Sequence, residues 1–253
     1  ASPTARVGAT EAGHLSVDLL DDGPHVLVAG APGQGRRGLL RTVVASLATG
    51  SPPDEVELVL VGDGFEQLAR LPHTMARIAE LHAHGISRLL RCLHAELRHR
   101  EEILRDGDVV SRRGVNEHVA LPRLVVVIGE LEALIAEQPE SAPALVDLAL
   151  RGPGLGVHLI VATRWPAGSV DDRLAARAGT RLTLRQQEEG DSVAMIGSGD
   201  ATLLPEHVPG RGLARLGSGE LIEFQSAGCV DDVRDAIDLR PFVVGRDLLP
   251  MEQ

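Results

Sequence analysis

The chain has 253 residues, 43% of them hydrophobic and 24% charged, which is enough for one large α/β domain with a core of its own. Its formal charge of −11, from 36 acidic against 25 basic side chains, argues against a surface built mainly to neutralise nucleic-acid phosphates. Aromatic residues make up only 2%, with no tyrosine and one tryptophan, so no Trp or Tyr platform for stacking bases is present apart from Trp165.

In chain order, residues 1–24 read as an N-terminal edge strand and linker. An alternating strand begins at His14, and a turn follows at Asp22-Gly23-Pro24. The stretch "HVLVAGAPGQGRRGLLRTVVASL" passes from a buried strand through a Gly-rich turn into a helix over 37–48. That helix carries Leu40, Val43, Val44 and Leu47 on one face and ends at Gly50 with prolines just beyond. "EVELVLVG" predicts the next strand, and residues 86–107 predict the longest helix, with an apolar stripe of Ile86, Leu89, Leu90, Leu93, Leu97 and Leu104. "RLVVVIGE" and "VHLIVATR" are near-continuous apolar strands of the kind buried on both faces of a parallel sheet. "TRLTLR" predicts a further strand, and residues 210–227 a hairpin turning at Gly217-Ser218-Gly219. Strands alternating with helices imply an α/β fold with a mainly parallel sheet flanked by helices, closed by a C-terminal β-hairpin. In such sheets ligands bind outside the carboxyl ends of the strands, where the Gly30 loop, Glu130 and Arg164 would fall.

Other candidate ligands look structural. Cys92 and Cys229 lie far apart without metal-ligand spacing, which fits a reduced compartment, and Cys92 is expected as a small buried residue of the long helix. His82, His84, His94, His99 and His118 cluster in sequence without companion ligands, as on a solvated helical face. The apolar runs are strand-length, too short to span a bilayer. Both ends of the chain read as cuts within a longer polypeptide, with residues 228–253 as a linker toward a further domain.

The Gly-rich turn follows the phosphate-loop pattern G-x-x-x-x-G-K-[ST]. In that device backbone N–H groups wrap phosphates, the lysine neutralises them and the hydroxyl ligates Mg²⁺. Gly30, Gly33, Gln34 and Gly35 retain the backbone part. Arg36 keeps the positive charge but as a planar fork. Arg37 offers no oxygen ligand and places a cation where the dication should bind. A second departure lies at the end of "LVVVIGE". Gly129-Glu130 stands where an Asp-Glu pair is expected, so Glu130 can orient a water but position 129 holds no metal. No metal site is therefore expected. Pairing of Arg36 and Arg37 with Glu130 is the preferred arrangement, and a plain helix-start role for Glu130 is the competing one.

The order and spacing of "PHVLVAGAPGQG", "LLRTVVASLA", "VELVLV", "LARLPHT", "ELRHREEIL", "LPRLVVVIGELEAL", "GVHLIVATRWPAG", "VPGRGLARLGSGE" and "IEFQSA" resembles the FtsK/SpoIIIE family of P-loop motors. The closest likeness is to the tandem ATPase domains of actinobacterial type VII secretion proteins of the EccC/EssC kind. The resemblance implies a RecA-like P-loop NTPase fold over 25–227. It also marks the departures: Arg36-Arg37 for the family's Lys-Ser or Lys-Thr, and Gly129 for its Walker B aspartate. "GDGFEQLARLPHT" replaces its Asp-Phe-Lys-Gly-Gly stretch, and "ATRWP" its "ATQRP", which puts Arg164 at the sensor position. The leading expectation is thus a degenerate, non-hydrolysing domain acting in assembly, regulation or recognition of small helical WXG-type secreted proteins. Its partners would be neighbouring ATPase domains. It would lie in the cytoplasm and reach the membrane only through other parts of a longer protein. No cofactor is expected, although ATP could be held without a formed Mg²⁺ site. The alternatives are a divergent ATPase that still binds nucleotide, with Glu130 catalytic, and a DNA-translocase-type domain.

Overall fold

The computed structural model describes residues 2–106, 121–217 and 219–227. The strands are β1 (Thr4–Thr10), β2 (Gly13–Asp18), β3 (His25–Ala29), β4 (Val56–Val61), β5 (Thr74–Ile78), β6 (Arg123–Ile128), β7 (Val157–Thr163), β8 (Thr180–Leu184), β9 (Arg211–Leu216) and β10 (Leu221–Ser226). The helices are α1 (Arg36–Gly50), α2 (Ala83–Asp106), α3 (Leu131–Glu137), α4 (Ser141–Arg151), α5 (Pro166–Ser169), α6 (Asp172–Arg177) and α7 (Glu189–Ile196).

All ten strands form one sheet in the order β2-β1-β10-β9-β8-β3-β7-β6-β4-β5. From β8 to β5 every pairing is parallel, while β9, β10, β1 and β2 add on antiparallel. The parallel half is the expected α/β sheet, and β9 and β10 are the expected C-terminal hairpin. The inner strands β3, β6 and β7 of the parallel half are largely apolar because helices cover both faces. Leu124, Val126 and Ile128 of β6 point into one core layer with Ile86, Leu93 and Leu97 of α2, while Val125 and Val127 point into the other with Leu40, Val43 and Val44 of α1. The α2 stripe is thus the predicted one, and Leu89 and Leu104 pack at its margin. Cys92 departs from expectation: it is exposed, because it lies off that stripe on the shoulder of the helix.

The parallel arrangement decides where chemistry can sit. The carboxyl ends of β3, β4, β6 and β7 share one edge, which brings together the loop after Ala29, Asp63 after Val61, Glu130 after Ile128 and Arg164 after Thr163. The opposite edge collects His25, Arg123 and His158, all buried. Among the described residues no helix is long and apolar enough to cross a membrane. The C-terminal segment 228–253, Cys229, His118 and Ser218 of the hairpin turn lie outside the described residues.

Candidate functional site

The loop between β3 and α1 turns on glycine. Gly33 and Gly35 have φ of +81° and +95°, a left-handed backbone that side chains disfavour, and a Cβ on Gly35 would lie 2.9 Å from the backbone nitrogen of Gly210. The loop is tied down from outside. Gly210 N–H donates to the Gln34 carbonyl at 2.8 Å, Ala31 N–H donates to Arg185 O at 2.9 Å, and the Gln34 amide donates to Glu206 O at 3.3 Å. Gln34 is therefore buried against the 205–210 turn and, like Gly30, does not line the cavity above the loop.

That cavity measures about 480 Å³ and is lined by Ala31, Pro32, Gly33, Gly35, Arg36, Arg37, Gly38, Glu130 and Arg164. Arg36 folds back over the loop, its Nη1 donating to the Gly30 carbonyl at 2.9 Å, while its buried Nε has no hydrogen-bond partner. Burial lowers its pKa; Glu132 and Glu130 oppose that shift, and Arg164 and Arg37 add to it. Arg37 Nη2 donates to Glu130 Oε1 at 3.1 Å and lies 3.5 Å from Asp63 Oδ2. The expected pairing across the site thus holds for Arg37, whereas Arg36 bonds to the loop itself.

Three residues here were not singled out in the sequence. Asp63 is the second partner of Arg37. Glu132, with a side chain only 10% exposed, accepts from Arg164 Nε at 2.6 Å, and its other oxygen is buried without a partner. Burial would push its pKa up, but the hydrogen bond from Arg164 and the charge of Arg36 bring it below the ordinary value. An acid two places after Glu130, on the first turn of α3, was its only sequence signal. The third is Phe65, which is buried against Gly129: a Cβ built there would stand 3.2 Å from the Phe65 ring. Arg164 also stacks over Trp165, 4.5 Å from the ring centroid, and Trp165 is 52% exposed.

Mg²⁺, which a phosphate loop of this kind ordinarily employs, does not fit these residues. Position 37 supplies a guanidinium rather than a hydroxyl, and Gly129 supplies no carboxylate, a Cβ there standing in tight contact with the Phe65 ring. No group of three or more His, Cys, Asp or Glu able to hold a metal is present among the described residues.

A second groove of about 480 Å³ lies away from the loop, between α5, α6 and α7, with Pro166, Val170, Ala175, Val193 and Met195 in its walls beside the charged Asp172 and Arg181.

Comparison with known proteins places these features in context. The model of the FtsK/SpoIIIE family matches residues 4–197. The ESX secretion system protein EccC of Geobacillus thermodenitrificans is 33% identical over 242 residues, covering 90% of this chain and 16% of that protein. The type VII secretion system protein EssC of Staphylococcus aureus is 34% identical over 228 residues, 84% of this chain and 15% of its own length. The chain therefore spans about one-sixth of these relatives. Among solved structures, the cytoplasmic domain of the Thermomonospora curvata type VII secretion ATPase EccC superposes with a TM-score of 0.81 at 29% identity, over 90% of this chain and 29% of that one.

Proposed function

The chain belongs to the FtsK/SpoIIIE family, and on that premise we propose that it is a non-hydrolysing ATPase-type domain of a type VII secretion motor. In this reading it is a cytosolic part of a longer, membrane-anchored protein and acts in assembly and regulation beside neighbouring ATPase domains. The observation that carries the reading is the Arg37–Glu130 pair at 3.1 Å. Among the described residues Glu130 is the only acid lining the cavity, and it accepts from a guanidinium where a hydrolase would aim it at a water. Steady-state phosphate release from ATP with excess Mg²⁺ is expected to stay at the no-protein background. Turnover that Glu130→Gln abolishes would refute the reading.

Recognition of small helical secreted proteins is assigned to the groove between α5, α6 and α7. Val170, Met195 and the half-exposed Val193 suit the apolar face of an amphipathic helix, and Asp172 and Arg181 its polar flank. A synthetic amphipathic helix from the C-terminus of such a protein is expected to bind about tenfold more weakly to Val193→Asp. Equal binding by both proteins would remove the groove from consideration.

A further inference from the structure

Two arginines open α1 at Arg36 and Arg37. The helix has no side-chain cap and no acid in its first turn, so both cations sit on the positive end of the helix dipole. Such an arrangement is unfavourable unless negative charge arrives from elsewhere. Part of it comes from Asp63 and Glu130, but those pairs are wet: the side chains of Arg37 and Asp63 are 56% and 63% exposed. Exposed pairs of this kind contribute little, so the 3.5 Å contact with Asp63 can give way to a stronger acceptor while the Arg37 pair with Glu130 stays. A stronger acceptor is also what the remaining cavity suits. Its lining holds three guanidinium groups against one carboxylate, with the backbone at Gly33 and Gly38 open above the loop. Gly33 and Gly38 have nothing within 4 Å of where a Cβ would stand, so a phosphate group can approach the backbone there.

We propose that Arg37 is a resident cation in the place of Mg²⁺, and that the cavity binds a polyphosphate anion in its metal-free form. The proposal rests on the non-hydrolysing reading and adds a ligand class to it. A guanidinium fork meets phosphate oxygens through two parallel hydrogen bonds, as an octahedral dication cannot. The metal finds no carboxylate at Gly129 and would face the charge of Arg37. A complex of ATP with Mg²⁺ therefore has its bound metal opposed to a fixed positive charge, while free ATP and inorganic pyrophosphate do not.

Calorimetric titration of the chain with ATP and with inorganic pyrophosphate, each in EDTA and in excess Mg²⁺, tests this. Binding in EDTA is expected to equal or exceed that in Mg²⁺. Arg37→Gln is expected to weaken it about tenfold, the loss of one charge-assisted contact. Asp63→Asn releases Arg37 from its competitor and is expected to tighten binding a few-fold, a direction that misfolding cannot imitate. Binding that requires Mg²⁺ would overturn both this inference and the non-hydrolysing reading. No binding up to about 5 mM in either buffer, below the weakest useful affinity, would overturn the inference alone. Weaker binding by Asp63→Asn would also overturn it.

Discussion

Lowering the pH from 7.5 to 5 is expected to remove about 4 kcal/mol of folding stability, through two histidines at the edge of the sheet opposite the loop. His25 accepts from the Leu159 N–H at Nδ1, so its Nε2–H must donate to Ala149 O, and both ring nitrogens are committed to the neutral form. Burial pushes its pKa from 6.5 down to about 4, with Arg177 adding to the shift. His158 bonds Pro24 O through Nδ1, and burial drives its pKa to about 3, with His25, Arg123 and Arg100 pressing the same way. In the unfolded chain both rings titrate near 6.5, so between that value and the folded ones the unfolded state binds more protons and stability falls with pH. The contribution is whole above about pH 6.5, and each ring loses about 2 kcal/mol by pH 5. Glu132, whose pKa is also held low, acts in the same direction but loses its share only as pH falls through the carboxylate range. Urea unfolding at pH 7.5, 6 and 5 measures the slope, and a His25→Gln, His158→Asn double variant should flatten it. A wild-type midpoint that stays constant over this range would contradict the assignment.

Arg100→Ala should cost about 3–5 kcal/mol, the range for breaking a buried charge network on one side. The Arg100 side chain is 1% exposed although it leaves a helix otherwise wet on that flank. Its Nε meets Glu96 at 2.7 Å, and its Nη1 reaches Pro122 O at 2.9 Å and Leu155 O at 3.1 Å. One guanidinium thus pins α2 to the starts of β6 and β7, and alanine would leave two carbonyls without a donor. Arg100→Lys should recover only part of the loss, since one ammonium cannot copy the fork. Thermal and urea unfolding of the two variants decides the matter, and a loss under 1 kcal/mol for alanine would show that water replaces the network.

The sequence made the parallel core legible because β3, β6 and β7 are continuous apolar runs, and the same runs located the loop and Glu130 at their ends. β1 and β5 were not foreseen. "TARVGAT" is short-chained and mixed in polarity, and "TMARI" is an edge strand with an exposed Met75, so neither shows a hydrophobic period. Asp63 and Phe65 escaped for a different reason. They meet Arg37 and Gly129 only because β4 lies beside β6 in the sheet, a neighbour relation that no local pattern encodes. The pairing of Arg37 with Glu130 could be read from chemistry alone, because two cations facing one acid leave few alternatives. The position of Arg36 over Gly30 could not, since it depends on the fold of the loop itself.

A phosphate loop in many proteins takes its shape from the ligand that fills it. Here the shape is set by the far end of the chain: Gly210 holds Gln34, Ser226 N–H donates to Gly210 O at 2.8 Å, and Thr42 Oγ1 donates to Ala227 O at 2.6 Å. The loop is accordingly a cast mould, indifferent to whether anything is poured into it. A chain cut before the C-terminal hairpin should lose the mould even though every residue of the loop remains, while losing the ligand should leave it unchanged.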